Sequence, residues 1–280
     1  MSSIARTYMS DSSGKTEKPQ TPYQELVQVD DRGDYAILTI NRPEKRNAMS
    51  FDSLARFREA LQEVRGKKAV VLTGTGPSFC AGMDLSEAAK SAEFFANRTS
   101  QETHPWTAIQ AQIRAHGAVF IAAVNGYALG GGSTLIHSCD LAIAAESAKI
   151  GAPEMGFGGF PLQAGPAAAK RMAPKHAAEL ILTARRVDAH EAYRMAIVNK
   201  VVPDDQLLAE AVALAEQLAG FDAVALDWGK KTLQRMEDLT WDEAMDYCQI
   251  TNLVTRSRSD ATQQGLSNFV QGKRTIGQGA

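Results

Sequence analysis

Apolar and polar positions divide the chain into a mixed front part and a helical rear part. Residues 23–29 and 35–40 are rich in β-branched and aromatic side chains, and Asp30, Asp31, Arg32 and Gly33 form a turn signal between them, so a hairpin is predicted. Leu54, Phe57, Leu61 and Val64 recur at helical spacing, which predicts a helix over 52–64 with Ser50 as its N-cap. The wholly apolar run 69–72 stops at Thr73, Gly74, Thr75, Gly76 and Pro77, the pattern of a buried strand opening into a loop. The theme recurs with 119–124 as strand, 125–132 as loop and 133–138 as the first turns of a helix. Beyond Asp140, residues 141–144 and 149–151 predict short strands, helices begin near Pro161, Lys175 and Asp188, and 197–202 is the last strand. From Asp204 to Val270 the spacing is helical, with Leu207, Ala211, Leu214 and Leu218 along one face. The expectation is an α/β core over 23–203, a helical region over 204–280 and an unstructured tail over 1–22.

Composition narrows the partners. With 44% apolar and 22% charged residues and a formal net charge of -2, the 280-residue chain has a globular profile and gives no reason to expect nucleic acid. Its apolar runs fall short of the roughly 18 residues of a membrane span. Residues 1–20 have no apolar block suited to a secretory signal, so a cytoplasmic protein is expected. Cys80, Cys139 and Cys248 lack C-x-x-C spacing, and five scattered histidines form no H-x-x-x-H pair, so no metal site is expected.

The candidate chemistry is concentrated in three loops, 79–85, 125–135 and 151–161. A loop that leaves a strand and enters a helix presents unpaired N–H groups, and two of them facing one point stabilise an oxyanion. Met83 and Gly131 are the candidate donors. Glu154 lies between Pro153 and Met155 in an apolar stretch, where burial would raise its pKa into a range useful for proton transfer. Taken singly, three consecutive glycines are more often a plain turn, and a glutamate in a glycine-rich turn is more often solvated. Dinucleotide and phosphate-loop motifs are absent.

Several spaced segments carry a family resemblance: Asn41-Arg42-Pro43-Glu44-Lys45-Arg46-Asn47-Ala48-Met49, Phe79-Cys80-Ala81-Gly82-Met83-Asp84-Leu85, Asn125-Gly126-Tyr127-Ala128-Leu129-Gly130-Gly131-Gly132, Cys139-Asp140 and Pro153-Glu154. In their order they resemble the crotonase, or enoyl-CoA hydratase/isomerase, superfamily. That resemblance implies an α/β fold, a crotonase-like spiral of ββα repeats with a C-terminal helical trimerisation region, and a homotrimer or homohexamer. It implies an acyl-CoA thioester substrate, with coenzyme A as part of the substrate and no separate cofactor. By the same resemblance Met83 and Gly131 match oxyanion-hole donors and Glu154 matches a catalytic glutamate. Lys45, Arg46, Ala48, Ala81, Asp84 and Leu85 match or border segments that hold the coenzyme A portion.

One departure bears on mechanism. Where typical hydratases carry a second glutamate, two residues after the triple glycine, this chain has Thr134, which can hydrogen-bond but cannot act as a base near neutral pH. A hydratase or isomerase with a single catalytic glutamate is therefore expected, with Thr134 orienting water or filling space. The chain also resembles the hydroxycinnamoyl-CoA hydratase-lyases in part, although Ala88 and Gln249 replace expected aromatic residues. Two further alternatives are a thioester hydrolase built on Ser133, His137 and Asp140, and a catalytically silent CoA-binding protein. Ala88, Trp106, Ile109, Phe157, Phe160 and Leu162 are candidates for the acyl pocket.

Overall fold

The computed structural model describes residues 21–87 and 103–273; the predicted tail, apart from its last two residues, and Ala88 lie outside the described residues. Strands β1 (Val27–Asp31), β2 (Tyr35–Ile40), β3 (Ala69–Gly74), β5 (Val119–Val124), β7 (Leu141–Ala145) and β10 (Lys200–Val202) form a six-stranded sheet in that order. It is parallel except for β1, which runs antiparallel to β2. A four-stranded sheet follows the order β4 (Ser78–Cys80), β6 (Tyr127–Leu129), β8 (Lys149–Gly151) and β9 (Arg186–Asp188). Thus β3 and β4, β5 and β6, and β7 and β8 are successive pairs, one strand in each sheet. Helices α2 (Pro105–Ala115), α3 (Gly131–Ser138) and α4 (Ala164–Arg171) follow the three pairs, which is the implied ββα repeat.

The apolar runs follow from burial on both faces of the large sheet. Successive side chains of a strand point to opposite faces. Phe120, Ala122 and Val124 join the main core with Val70 and Leu72, whereas Ile121 and Ala123 join a second core with Ala69 and Val71. Helix α1 (Phe51–Glu63) contributes Leu54, Phe57 and Leu61 to the main core, and Ser50 caps it by accepting from the Ser53 N–H. The second core is closed by Leu207, Ala211 and Ala215 of helix α7 (Leu207–Ala219), with Leu214 and Leu218 partly buried beside them. The first C-terminal helix is therefore a layer of the sheet structure.

Several boundaries differ from the sequence expectation. Tyr23–Glu25 is a 3-10 turn, and β1 runs through Asp30 and Asp31, whose backbones pair with Ile37 and Ala36. β1 is an edge strand, so both carboxylates stay in water while the backbone joins the sheet. The turn is shorter than predicted, closed by the Arg32 N–H to the Tyr35 carbonyl at 2.9 Å. The helix expected from Pro161 starts at Ala164, and only the end of 197–202 pairs as a strand. The loops expected around 79 and 125 contain β4 and β6, whose three residues are too few for a readable alternation.

Helices α5 (Pro174–Leu182) and α6 (Ala189–Arg194) precede β10, and α8 (Ala223–Met236), α9 (Trp241–Arg258) and α10 (Ala261–Val270) end the described chain. Helix α8 is pinned to the core by Lys230. Its buried Nζ donates to the carbonyls of Ile113 and Ala118 at 2.8 and 2.9 Å and pairs with Asp140 at 2.9 Å. No described helix is long and apolar enough to cross a membrane.

Candidate active site

Strands β4, β6 and β8 are parallel neighbours, so the loops after Cys80, Leu129 and Gly151 leave the same edge of the small sheet. That edge, at the carboxyl ends of parallel strands, is where α/β sheets commonly hold ligands. A cavity of about 610 Å³ opens there, lined by parts of all three loops, by the 44–48 segment and by His104, Trp106 and Arg186.

The two proposed amide donors come from touching segments. Met49 pairs with both neighbours of Met83: its N–H donates to the Gly82 carbonyl at 2.8 Å and its carbonyl accepts from the Asp84 N–H at 3.0 Å. Alternation along this extended stretch turns the Met83 N–H the other way, and it has no acceptor among the described residues. The Gly131 N–H, at the first residue of α3, has none either. A methyl group placed on Gly82 would stand 2.8 Å from the Leu129 carbonyl oxygen and 3.2 Å from the Gly131 nitrogen, so the segments leave no room for one. Gly82 also has a φ of 92°, open only to glycine at low cost.

Glu154 sits in the 3-10 turn Pro153–Phe157 and folds back against Gly130. A methyl group on Gly130 would lie 2.7 Å from Glu154 Oε1, and its φ of 54° likewise favours glycine. Glu154 Oε2 is buried without a hydrogen-bond partner among the described residues. Burial raises the pKa of the carboxyl above the ordinary glutamate value, against a smaller lowering by its own backbone N–H.

The 41–49 loop is bolted to the 81–84 loop. Buried Asn47 accepts from the Arg42 N–H at 2.8 Å and donates to the Ser78 carbonyl at 2.6 Å and the Thr75 carbonyl at 3.0 Å. The Arg46 carbonyl accepts from the Ala81 N–H at 3.1 Å. Asp84 borders the cavity, but its carboxylate is occupied by Arg42 at 3.1 Å and by the Ser86 hydroxyl at 2.6 Å. Burial pushes its pKa up, yet the Ser86 and Arg42 contacts outweigh burial and hold it below the usual carboxylate range. Lys45 and Arg46 are exposed at the cavity mouth and have no ion-pair partner among the described residues.

Of the residues singled out from sequence, Lys45, Arg46, Ala48, Ala81, Met83, Asp84, Leu85, Gly131 and Glu154 all line this one cavity, as do Trp106 and Phe157. Thr134 does not line it. Its side chain is fully buried and its hydroxyl donates to the Gly130 carbonyl at 3.2 Å, one helical turn back. Ile109 is core, and Phe160 and Leu162 are exposed outside the cavity lining. Gln249 is an exposed residue of α9.

The Ser133, His137 and Asp140 set does not assemble. Asp140 accepts from the Phe120 N–H at 2.8 Å and pairs with Lys230, whereas His137 is buried with Nε2 unpartnered among the described residues. Burial, aided by nearby Arg171, lowers the His137 pKa to about 4. Among the described residues no cluster of His, Cys, Asp and Glu could hold a metal.

Sequence reasoning missed His104, Arg186, Gln163 and Ala164 in the lining. His104 had a legible signal, since it precedes Pro105, and Pro at the first helical position marks a cap before it; its Nδ1 accepts from the Trp106 N–H at 3.2 Å. Arg186 arrives through the antiparallel pairing of β9 with β8, opposite Gly151, which no local pattern announces.

A family model described as enoyl-CoA hydratase/isomerase matches residues 32–276. The "Probable enoyl-CoA hydratase, mitochondrial" of Dictyostelium discoideum is 33% identical over 250 residues, covering 87% of each chain. The crotonyl-CoA hydratase of Syntrophomonas wolfei is 36% identical over 219 residues, 75% of this chain and 82% of its own. The solved structure of an enoyl-CoA hydratase subunit from Geobacillus kaustophilus superposes with a TM-score of 0.81 at 30% identity, covering 91% of this chain and 98% of that one. The chain belongs to the enoyl-CoA hydratase/isomerase family.

Proposed function

We propose that the chain adds water reversibly across the double bond of a 2-enoyl-CoA, with the Met83 and Gly131 N–H groups holding the thioester oxygen and Glu154 as the single base. The observation that carries this reading is the carboxylate of Glu154 set against Gly130, one residue before the Gly131 N–H. Glu154 takes a proton from water as the oxygen bonds to the β-carbon. The electron pair of the double bond moves to the thioester, and the enolate oxygen is held by the two N–H groups. Glu154 then returns the proton to the α-carbon. In comparable oxyanion holes one donor lowers the barrier by about 2.7–4 kcal/mol. Lys45 and Arg46 at the mouth suit the phosphates of coenzyme A, while Ala48, Ala81 and Leu85 offer apolar walls to its thiol arm. Asp84 serves this role indirectly, by fixing Arg42 and the loop.

Positional isomerisation of the double bond is the second reading, favoured by the absence of Thr134 from the cavity lining. One carboxylate suffices to remove a proton from the α-carbon of a 3-enoyl-CoA and return it to the γ-carbon. A homotrimer or homohexamer in the cytoplasm completes the proposal, supported by exposed apolar residues on the C-terminal helices and by three unpaired cysteines.

The test is Glu154→Gln assayed on crotonyl-CoA and on 3-enoyl-CoA, with product double-bond position read by mass spectrometry and NMR. General acid/base catalysis predicts a fall in kcat of about 10²–10⁴ with little change in KM. Undiminished turnover would exclude Glu154 as the base. A wild-type chain that binds acyl-CoA without turnover would make it a binding protein.

A further inference from the structure

Trp106 is a wall of the cavity, yet it carries a polar group that the fold does not use. The residue is 3% exposed, and its indole N–H has no acceptor among the described residues. The residue lines the cavity, and its indole nitrogen is not among the fully buried polar atoms that lack a partner, so a ligand or water can reach the N–H and complete it. Its position is specific. A methyl group on Gly131 would stand 2.5 Å from Cζ2, 2.7 Å from Cη2 and 2.9 Å from Cε2 of the Trp106 ring. Nε1 is bonded to Cε2, so the indole N–H sits beside the residue whose backbone N–H faces the cavity. The peptide joining Gly130 to Gly131 therefore has Glu154 packed on its first residue and Trp106 on its second. The residue is held at two points: its ring rests on Gly131, and its backbone N–H donates to His104 Nδ1 at 3.2 Å.

We propose that the indole N–H of Trp106 is a third hydrogen-bond donor of the site, completed by an oxygen of the bound acyl thioester. This rests on the acyl-CoA reading above. Two oxygens have the required chemistry: the thioester oxygen beside Gly131, and the oxygen added to the β-carbon. With Thr134 turned into its own helix, Trp106 is a donor available to the second of these.

The deciding experiment replaces Trp106 with β-(3-benzothienyl)alanine, in which sulfur takes the place of the ring N–H and the shape is kept. Trp106→Phe serves as a second variant, and thermal unfolding of both is compared with wild type. Affinities are measured for butyryl-CoA, which has no β-oxygen, and for 3-hydroxybutyryl-CoA. Loss of one hydrogen bond predicts a weakening of roughly tenfold. Weakening of both ligands assigns the contact to the thioester oxygen, and weakening of 3-hydroxybutyryl-CoA alone assigns it to the β-oxygen. Unchanged affinities and unchanged crotonyl-CoA hydration in the sulfur variant would overturn the proposal. A wild-type chain that binds neither ligand would instead remove the acyl-CoA reading on which it rests.

Discussion

Ionising Glu154 costs more in the fold than in the unfolded chain, because one carboxylate oxygen is buried without a partner. The sign of the linkage follows from the raised pKa. Folding favours the protonated form, so the stabilising contribution is present below the ordinary glutamate pKa and is lost as pH rises through the raised value. Glu154→Gln is therefore expected to melt above wild type at about pH 8, and the two should converge near about pH 4. With Glu154 as the base proposed above, kcat/KM should have an acid limb that falls as pH drops through that raised value and vanishes in the variant. A limb unchanged by the substitution would assign it to another group. Gly130→Ala tests the neighbouring contact. At φ 54° and ψ -114° Gly130 lies outside the left-handed helical well, in a region that costs a residue with a Cβ about 1–3 kcal/mol, and the methyl group would displace Glu154 Oε1 from 2.7 Å. A modest fall in melting temperature is expected together with a kcat loss of at least about tenfold, since misplaced catalytic groups lose rate steeply. Wild-type kcat in a folded variant would show that the carboxylate does not need this wall.

Three parallel strands aim three loops at one edge, and this element-scale arrangement explains what the sequence could and could not announce. Gly82, Gly130, Gly131 and Glu154 were legible because each lies in a short segment whose turn chemistry is local. Arg186 was not, because it enters across a sheet pairing with a partner 35 positions away, Gly151. Thr134 was legible as a residue but not as a placement. Which face of α3 meets the cavity depends on how the helix is set on the small sheet, and its hydroxyl ends on the Gly130 carbonyl. The 41–49 loop was legible as a segment, while the Asn47 and Arg42 bonds that fix it emerge only in the fold. That rigid backbone holds Lys45 and Arg46 at the mouth without ion-pair partners among the described residues. Replacing both with Ala should raise KM for crotonyl-CoA several-fold and leave kcat near wild type, with the difference shrinking as salt screens exposed charge. A kcat loss with unchanged KM would place these side chains in a different role.

At the scale of the molecule, the rear helices differ in how they are used. Helix α7 covers one face of the large sheet, and α8 is anchored by the Lys230 and Asp140 pair. Helices α9 and α10 instead leave Trp241, Met245, Ile250, Leu253, Leu266, Phe269 and Val270 exposed in a single chain. Helical periodicity over 204–270 was readable, but the split between core-covering and uncovered helices was not, because it depends on which helix reaches the sheet. Apolar faces of this kind mark contact surfaces, and a second copy of the chain is the partner proposed above. Sedimentation equilibrium should then give three or six times the mass of the single chain. The double variant Ile250→Glu and Leu253→Glu should lower that mass toward the single chain with helical circular dichroism retained, since both side chains are exposed in the isolated fold. A wild-type chain that sediments as a monomer across micromolar concentrations would remove the assembly. An assembled variant would move the contact away from this face of α9.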